Sequence, residues 1–203
     1  MARSITIYLS ALFLSVLCVG SASAQIYKYT DTNGVVFYTN VKPKGQRFKT
    51  LTFPCYSGDQ KCNKVSWEKV RLQPEKYADI ISQAAAESSV DAALIRAIIH
   101  AESAFDPAAV SPKGAQGLMQ LMPFNQDRLG ITDPFSPEQN IPAGSAHLAE
   151  LYAQFGDDFD RVVAAYNAGA GAVRKYNGVP PFTETEEYLR RVKILYRRYK
   201  QAM

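Results

Sequence analysis

The stretch that decides the fold is DAALIRAIIHAES, residues 91–103. Its large apolar residues recur at spacings of three and four, which is the periodicity of an α-helix. Ile95, Ile98, Ile99 and Glu102 therefore share one face, because residues three, four and seven apart stack on a helix. The sequence predicts a helix with an apolar stripe facing the core and an acid in line with that stripe.

The position of Glu102 near the end of this helix has a consequence for its chemistry. Partial burial and the negative end of the helix dipole both disfavour a charged carboxylate, so both raise its pKa. A carboxyl group that stays protonated near neutral pH is what a general acid needs. Helix geometry alone leaves a second interpretation open, in which Glu102 reaches solvent or pairs with a nearby lysine.

Helical periodicity extends from about residue 76 to the C-terminal region, with a break at Ser88-Ser89. Asp91 is a good N-cap, and Asp106-Pro107 ends the central helix at about Phe105. Pro123 is expected to stop the next helix and Gly169 to close a later one. The remaining predicted helices cover residues 115–122, 143–155, 158–167 and 186–201.

The N-terminal region has the alternation of β-strands instead. Residues 26–30 and 34–39 alternate, and Asn33-Gly34 between them is a strong hairpin signal. This stretch resembles a small β module of unassigned function on many exported proteobacterial proteins, although Tyr29 and Thr39 replace its usual Trp and Ser. A third short strand and then a linker are expected over residues 40–76.

The first residues have the form of a secretory signal peptide. Arg3 precedes an apolar run from Ile5 to Val19, and Ala22-Ser23-Ala24 is a small-x-small cleavage site before Gln25. A membrane anchor is the alternative, but the run is shorter than the roughly 20 residues that a span needs. Cys18 lacks the small residue that a lipoprotein site has before its cysteine. We therefore expect an exported, periplasmic protein without a stable membrane anchor.

Two of the three cysteines remain after such a cleavage, Cys55 and Cys62. An even count in an exported chain favours a disulfide, and a metal-binding pair is the alternative. Neither His100 nor His147 is near these cysteines in sequence. No metal-ligand spacing is recognisable, so no metal site is predicted.

The formal net charge is +4, which suits an anionic polymer as partner. A nucleic acid is not expected, because no concentrated basic block with interleaved aromatic residues occurs. The basic residues of the last helix are expected to form a solvated face; they are Arg190, Arg191, Lys193, Arg197 and Arg198.

Four sequence blocks follow Glu102 in a fixed order. They are SPKGA at 111–115, GLMQLMP at 117–123, AYNAG at 165–169 and PFTETEEY at 181–188. In this order and spacing they resemble the soluble lytic transglycosylase domain family, which is distantly related to goose-type lysozyme. The resemblance spans about residues 76–196 and implies a mainly α, lysozyme-like (α+β) catalytic domain behind the small β-hairpin module.

The resemblance also implies an activity. Enzymes of this family cleave the β-1,4 bond between N-acetylmuramic acid and N-acetylglucosamine in peptidoglycan glycan strands, and they form 1,6-anhydro-N-acetylmuramic acid without a metal or cofactor. Glu102 matches the family's catalytic acid/base. The positions that match its substrate groove are Ser111, Met119, Gln120, Tyr166, Asn167, Glu184 and Tyr188.

The chain departs from the family at two places. It has PFNQ at 123–126 where P-x-T-A is usual, and Leu189 where valine is usual. Four groove positions also have local structural roles as alternatives. These are a helix-end amide, a core aromatic residue, a bracing amide and a helix cap, for Gln120, Tyr166, Asn167 and Glu184 respectively.

Two other functions stay open. A hydrolytic muramidase of goose-lysozyme type needs a second acid, for which Asp106, one turn past Glu102, is the candidate. A non-catalytic wall-binding or assembly module needs no acid at all. A role in general wall turnover and a role beside a secretion or conjugation apparatus are both compatible with the sequence.

The predicted organisation has four parts: a signal peptide at 1–24, a β module with a disulfide at 25–65, a linker at 66–75 and the catalytic domain at 76–203. Trp67 and Val70 in the linker are expected to pack onto the catalytic domain.

Overall fold

The computed structural model describes residues 26–30, 36–39, 42–45, 47–51 and 65–203. The predicted signal peptide at 1–24, the Asn33-Gly34 turn and the Cys55–Cys62 disulfide lie outside these residues. They stay predictions.

The β module contains a three-stranded antiparallel sheet in the order β2-β1-β3. The strands are β1 (Ile26–Thr30), β2 (Val36–Thr39) and β3 (Lys49–Leu51). The ring of Tyr27 in the central strand is buried and meets the edge of Phe48 at a centroid distance of 5.2 Å. The predicted antiparallel pairing of the first two strands and the third short strand are both confirmed.

The rest of the described chain is helical. The helices are α1 (Ala78–Ser88), α2 (Ala92–Ser103), α3 (Pro123–Arg128), α4 (Pro137–Phe155), α5 (Phe159–Ala168), α6 (Ala170–Tyr176) and α7 (Thr183–Ala202). The mainly α fold predicted for this part is confirmed. Among the described residues, no helix combines the length and the apolar composition that crossing a membrane requires.

The central helix α2 begins as predicted and ends two residues early. The Asp91 side chain accepts a hydrogen bond from the Ala93 N–H at 2.8 Å, which caps the start. At the other end, Ala104 and Phe105 take left-handed conformations with φ of 50° and 65°. Residues other than glycine rarely adopt this conformation, so the turn after Glu102 is strained.

The helix predicted at residues 115–122 is wrong. Gly117 and Gln120 have φ of 77° and 49°, and Gln116 pairs with Leu121 in a short antiparallel bridge. This segment is therefore a tight loop. Pro123 begins α3 rather than ending a helix, because the first helical position does not need the N–H that proline lacks.

Two helix boundaries and one additional helix also differ from the prediction. Helix α4 begins at Pro137 instead of residue 143 and continues through Pro142, and α7 begins at Thr183 instead of residue 186. Helix α6 was not predicted; Gly169, with φ of 85°, separates it from α5. The predicted extent of α5 and its closure by Gly169 are confirmed.

Helix α2 is buried on almost every side. Ile95, Ile98 and Ile99 are inaccessible to solvent, which confirms the predicted stripe. The opposite face carries Arg96 and His100, and these are buried as well. The sequence pattern cannot show this second burial, because α7 and residues 65–76 supply the covering surface.

The expected solvated basic face of α7 is wrong at two positions. Arg191 is only 3% exposed and lies against the core. Arg198 donates hydrogen bonds to the carbonyl oxygens of Trp67 and Val70 at 2.7 and 2.8 Å. Lys193 and Arg197 do lie at the surface, where each forms an ion pair.

The predicted linker packs onto the helical domain. Trp67 is 7% exposed and belongs to the main hydrophobic core, and Val70 packs against the same core. The expected packing of both residues is therefore confirmed. We call residues 65–76 the pre-helical segment; the domain boundaries at residues 65 and 75 stay predictions.

Candidate active site

A cavity of about 310 Å³ opens beside the C-terminal end of α2. Its walls come from the last turn of α2, the loop after it, helix α5 and the start of α7. The lining residues are Glu102, Ser111, Pro112, Lys113, Ala115, Gln120, Met122, Tyr166, Asn167 and Glu184. Six of the eight residues predicted for catalysis or substrate binding therefore meet in one cavity.

Glu102 is the carboxylic acid of this cavity whose pKa is shifted toward neutrality. Burial raises its pKa from the usual 4.5 to about 7, and the charge of Glu184 acts in the same direction. The Tyr188 hydroxyl and the Arg191 guanidinium oppose the shift. The raised pKa expected from the sequence is therefore present, and burial is its largest cause.

Tyr188 lies beneath Glu102 and does not reach the cavity surface. Its side chain is completely buried, and burial raises the pKa of its hydroxyl well above the usual value. The hydroxyl interacts with the Glu102 carboxyl, yet it forms no direct hydrogen bond of ordinary geometry with any described residue. Tyr188 thus places a neutral hydroxyl next to the acid.

Tyr166 extends from α5 into the cavity wall. Its hydroxyl donates a hydrogen bond to the Met119 carbonyl oxygen at 2.8 Å, and its ring packs on His147. Since the hydroxyl hydrogen is used within the protein, the oxygen is left to accept a hydrogen bond. Burial also raises the pKa of this hydroxyl well above the usual value, so it stays neutral.

Gln120 presents an acceptor. Its side-chain nitrogen donates hydrogen bonds to the carbonyl oxygens of Ala109 and Gly117 at 3.0 and 2.8 Å. Because both partners are acceptors, the amide orientation is defined and the side-chain oxygen is the polar atom left for a ligand. An amide N–H or a hydroxyl of a ligand would match it.

The loop that carries these residues is held by buried polar side chains. The Ser103 hydroxyl donates to the Leu118 carbonyl oxygen at 2.7 Å, and the Asn140 side chain accepts from the Met119 N–H at 2.8 Å. A side chain at Gly117 would overlap Asn140 and the Pro134 carbonyl oxygen. Asn140 was not predicted, because the Met119 N–H that it holds lies 21 residues away in sequence.

The first turn of α7 closes the cavity on another side. Glu184 forms an ion pair with Lys113, with the ammonium nitrogen 3.0 and 3.2 Å from the two carboxylate oxygens. The Thr185 hydroxyl donates to the Asn167 side-chain oxygen at 2.9 Å, so Asn167 also braces α5 against α7. Ser111 lines the cavity and accepts a hydrogen bond from the Ala115 N–H at 3.0 Å.

Besides Tyr188, which lies beneath the cavity, three positions differ from the sequence-based expectations. Met119 is completely buried against Gly144 and does not line the cavity. Met122, which was not predicted, lines it instead and is 41% exposed. Asp106, the candidate second acid, is exposed outside the cavity and accepts a hydrogen bond from the Ala108 N–H. Among the residues lining the cavity, the second carboxylate is Glu184.

The arrangement can donate and accept a proton at Glu102 beside fixed acceptors at Gln120 and Tyr166. Within the described part of the chain, no three His, Cys, Asp or Glu side chains are grouped so as to hold a metal ion.

A mainly α, lysozyme-like domain with one partly buried acid in a cleft defines a recognisable class of protein. Residues 79–189, more than half of the chain, match the transglycosylase SLT domain model. The chain belongs to the transglycosylase SLT domain family. Residues 13–53 match a second model, a domain of unknown function termed DUF4124.

Named relatives agree with this assignment. Membrane-bound lytic murein transglycosylase F of Desulfosudis oleivorans is 39% identical over 113 residues, which cover 53% of this chain and 25% of that protein. The soluble lytic murein transglycosylase of Escherichia coli is 33% identical over 142 residues, covering 59% and 22%. The chain thus spans about a quarter of the length of these relatives.

Solved structures share the fold. The 70 kDa soluble lytic transglycosylase of Escherichia coli superposes with a TM-score of 0.57 at 31% identity, covering 63% of this chain and 24% of that one. The complex of the 70 kDa enzyme with bulgecin A gives 0.58 at 32% identity, covering 64% and 25%. An inactive Glu-to-Gln mutant of the Pseudomonas aeruginosa enzyme gives 0.58 at 31% identity, covering 64% and 24%.

Proposed function

We propose that this chain is a peptidoglycan lytic transglycosylase. It cleaves the β-1,4 bond between N-acetylmuramic acid and N-acetylglucosamine and leaves a 1,6-anhydro-N-acetylmuramic acid end, with Glu102 as the only catalytic carboxylate. The observation that carries the proposal is the place of Glu102 at the wall of a cavity to which all four sequence blocks contribute lining residues, where burial raises its pKa to about 7. The names of the relatives support the same reaction class.

A pKa near neutrality suits a group that acts twice. In the first step, protonated Glu102 donates its proton to the glycosidic oxygen, the bond from that oxygen to C1 breaks, and N-acetylglucosamine leaves. The acetamido oxygen of the muramic acid stabilises the positive charge that develops at C1. In the second step, the Glu102 carboxylate takes the proton of the C6 hydroxyl, whose oxygen bonds to C1. Glu102 ends protonated, and no water is consumed.

The fixed acceptors of the cavity fit this sequence of steps. The side-chain oxygen of Gln120 would accept the acetamido N–H, which orients the acetamido oxygen toward C1. On the same wall, Tyr166 presents a further acceptor and Ser111 a hydroxyl donor to the sugar. Because these groups are held by the protein before substrate arrives, they cost no reorganisation during the reaction. Asn167, Glu184 and Tyr188 complete the proposed substrate site, the last by supporting Glu102 from beneath.

A hydrolytic muramidase is the second candidate, and one observation favours it. Glu184 is a carboxylate that lines the same cavity as Glu102, as the base of a hydrolytic reaction must. Its ion pair with Lys113 argues against that role, because the pair occupies the carboxylate that would activate water.

Mass spectrometry of soluble products from purified sacculi separates the two reactions. We expect muropeptides that are lighter than hydrolysis products by one water and resistant to borohydride reduction. Reducible products would assign the chain to the muramidases and make Glu184→Gln the next variant. A chain that binds sacculi and releases nothing would instead be a wall-binding module.

We also propose that the chain is exported to the periplasm, with cleavage before Gln25 and a disulfide between Cys55 and Cys62. The support is the Arg3-led apolar run and the even cysteine count of the remainder. N-terminal sequencing of the periplasmic protein should begin at Gln25, and thiol titration of the unfolded, unreduced protein should find no free thiol. Two reactive thiols would contradict the disulfide.

A local role beside a secretion or conjugation apparatus is a further part of the proposal. A small catalytic domain suits the opening of a single gap in the wall and suits general wall turnover equally, so the sequence is compatible with both roles. Co-purification of the inactive Glu102→Gln variant with envelope proteins tests it; recovery of sacculus fragments alone would leave general wall turnover as the role.

A further inference from the structure

The pre-helical segment, residues 65–76, precedes the part of the chain that matches the family model, which begins at residue 79. It nevertheless bonds to the turn that follows Glu102. The side-chain nitrogen of Gln73 donates to the Ala104 carbonyl oxygen at 3.3 Å, and the Lys76 ammonium donates to the Phe105 carbonyl oxygen at 2.7 Å. These two carbonyls belong to the two left-handed residues of the strained turn. The segment therefore supports the backbone conformation that ends α2 directly after the acid.

The same segment covers Arg191, which lies behind Glu102. The Trp67 ring lies over the Arg191 guanidinium at 4.5 Å, and Arg191 donates to the Ala101 carbonyl oxygen at 3.2 Å. Arg191 is 3% exposed, and its Nε has no hydrogen-bond partner among the described residues. The face of an aromatic ring attracts such a cation electrostatically. The Trp67 ring thus stabilises the part of the Arg191 guanidinium that has no hydrogen-bond acceptor among the described residues.

The segment is itself fixed at both ends. Arg198 of α7 donates to the Trp67 and Val70 carbonyl oxygens at 2.7 and 2.8 Å. Arg96 of α2 donates to the Lys76 carbonyl oxygen at 3.0 Å. Hydrogen bonds to two different helices make the segment a brace between α7 and the far side of α2. A linker that only joined the β module to α1 would not need these hydrogen bonds.

We propose that the pre-helical segment is a positioning element for Glu102, acting through Trp67 on Arg191 and through Gln73 and Lys76 on the turn after α2. This inference rests on the proposed function, because it assigns the segment a task in the same reaction. No residue of the segment lines the cavity. Its effect on the reaction is therefore indirect, through the place and the electrostatic surroundings of the acid.

The electrostatic part of this effect has a defined sign. The groups that shift the pKa of Glu102 are Tyr188, Arg191 and Glu184 from α7. The charge of Glu102 in turn acts on the Tyr166 hydroxyl of α5. Arg191 lowers the pKa of Glu102. Loss of Arg191, or its release into solvent when Trp67 is removed, should therefore raise the pKa of Glu102. The alkaline limb of the pH–rate profile would then move to higher pH.

Trp67→Leu is the first test, with Trp67→Phe and Lys69→Ala as controls. Leucine keeps the position apolar without an aromatic face, phenylalanine keeps an aromatic face, and Lys69 is an exposed side chain in the same segment. We expect Trp67→Leu to lower kcat about tenfold with little change in KM, because small displacements of a catalytic group cost rate more than binding. Both controls should stay within about twofold of wild type.

Gln73→Ala combined with Lys76→Met tests the contacts to the turn by the same measurement. Assays well below the melting temperature of each variant keep a loss of folded protein from being read as a loss of rate. Wild-type kcat in Trp67→Leu and in the double variant, or an equal rise of KM in every variant, would overturn the inference.

A readout without turnover separates this inference from the proposed function. In protein labelled with ¹³C at glutamate carboxyl groups, the signal missing from Glu102→Gln identifies Glu102, and its titration gives the pKa. We expect Arg191→Met and Trp67→Leu to raise this pKa above the wild-type value, and Lys69→Ala to leave it unchanged. An unchanged pKa in the first two variants would overturn the inference even if the wild type cleaves sacculi. A wild type that releases no product would contradict the proposed function and leave this titration to decide the positioning role.

Discussion

Glu102 and His100 are titratable groups on opposite sides of α2, and burial shifts their pKa values in opposite directions. On the cavity side, Glu102 has its pKa raised to about 7. On the far side, His100 lies among the rings of Trp67, Phe105 and Tyr199, and burial lowers its pKa to about 4, with the charge of Arg198 acting in the same direction. Both groups are driven toward their uncharged forms, because burial penalises charge of either sign.

The difference between the sides is access. Glu102 borders a cavity that a ligand can enter, whereas the His100 ring nitrogen is already hydrogen-bonded to the Tyr199 hydroxyl at 2.8 Å. A perturbed pKa therefore indicates a functional site only where a ligand can reach the group. On the far side, the same physics serves packing alone.

The largest effect that tests this comparison is expected from Glu102→Gln. Without a transferable proton, turnover of sacculi should fall by roughly a thousandfold or more, while the fold and wall binding stay intact. A folded Glu102→Gln variant with near wild-type turnover would contradict the role of the acid.

The same variant should be more stable than wild type at alkaline pH. The folded-state pKa of Glu102 lies above its usual 4.5, so the stability contributed by the protonated form is lost as pH rises from about 4.5 to 7. Glutamine has no such loss. Urea denaturation at pH 8 should show a gain of roughly 1–3 kcal/mol.

Two glycines of the cavity loop give the next largest effect. Gly117 and Gly114 both have positive φ, but a side chain at Gly117 meets Asn140 and Pro134, whereas nothing lies near Gly114. We expect Gly114→Ala to cost about 1–2 kcal/mol from backbone strain alone. Gly117→Ala should cost more than about 3 kcal/mol and lower turnover, because clash adds to strain. Equal losses in denaturation measurements would show that the close contact is not maintained.

The far side should produce a loss of stability in acid. The folded-state pKa of His100 lies below its usual 6.5, so stability is complete above about pH 6.5 and is lost as pH falls toward 4. Between pH 7 and 4, wild type should lose roughly 2–3 kcal/mol more than His100→Gln in urea denaturation. Equal losses in the two proteins would mean that protonation of His100 does not contribute to the loss of stability between pH 7 and 4.

The smallest effect concerns the pH dependence of turnover on the cavity side. Since Glu102 must be protonated to act as the acid, kcat/KM should be highest on the acidic side of neutral and fall about tenfold per pH unit well above pH 7. Rates measured from pH 4 to 9 check this expectation. A flat profile would contradict a general-acid role for a group with this pKa.

Much of the cavity side could be predicted from the sequence. The three- and four-residue spacing of Ile95, Ile98 and Ile99 defines the buried face, and Asp91 defines where the helix begins. Six of the eight residues taken from the family blocks meet at the cavity. These features depend on contacts within one or two helical turns, or on sequence blocks that have the same order and spacing here as in the family.

The errors occurred where distant residues decide the conformation. The loop at 115–122 has a helix-like composition, but Gly117 has a left-handed backbone and lies too close to Asn140 for a side chain. Met119 was assigned to the groove, yet its side chain is buried against Gly144. No local pattern contains these partners.

The sequence by itself determined that the chain has a mainly helical domain with one acid in line with a buried stripe, because periodicity and capping are local properties of the chain. Tertiary structure alone decided that Arg191 lies in the core under Trp67, more than a hundred residues away in sequence. It also decided how far the pKa of Glu102 moves, because that shift is the sum of burial and of charges that only folding brings to the same place.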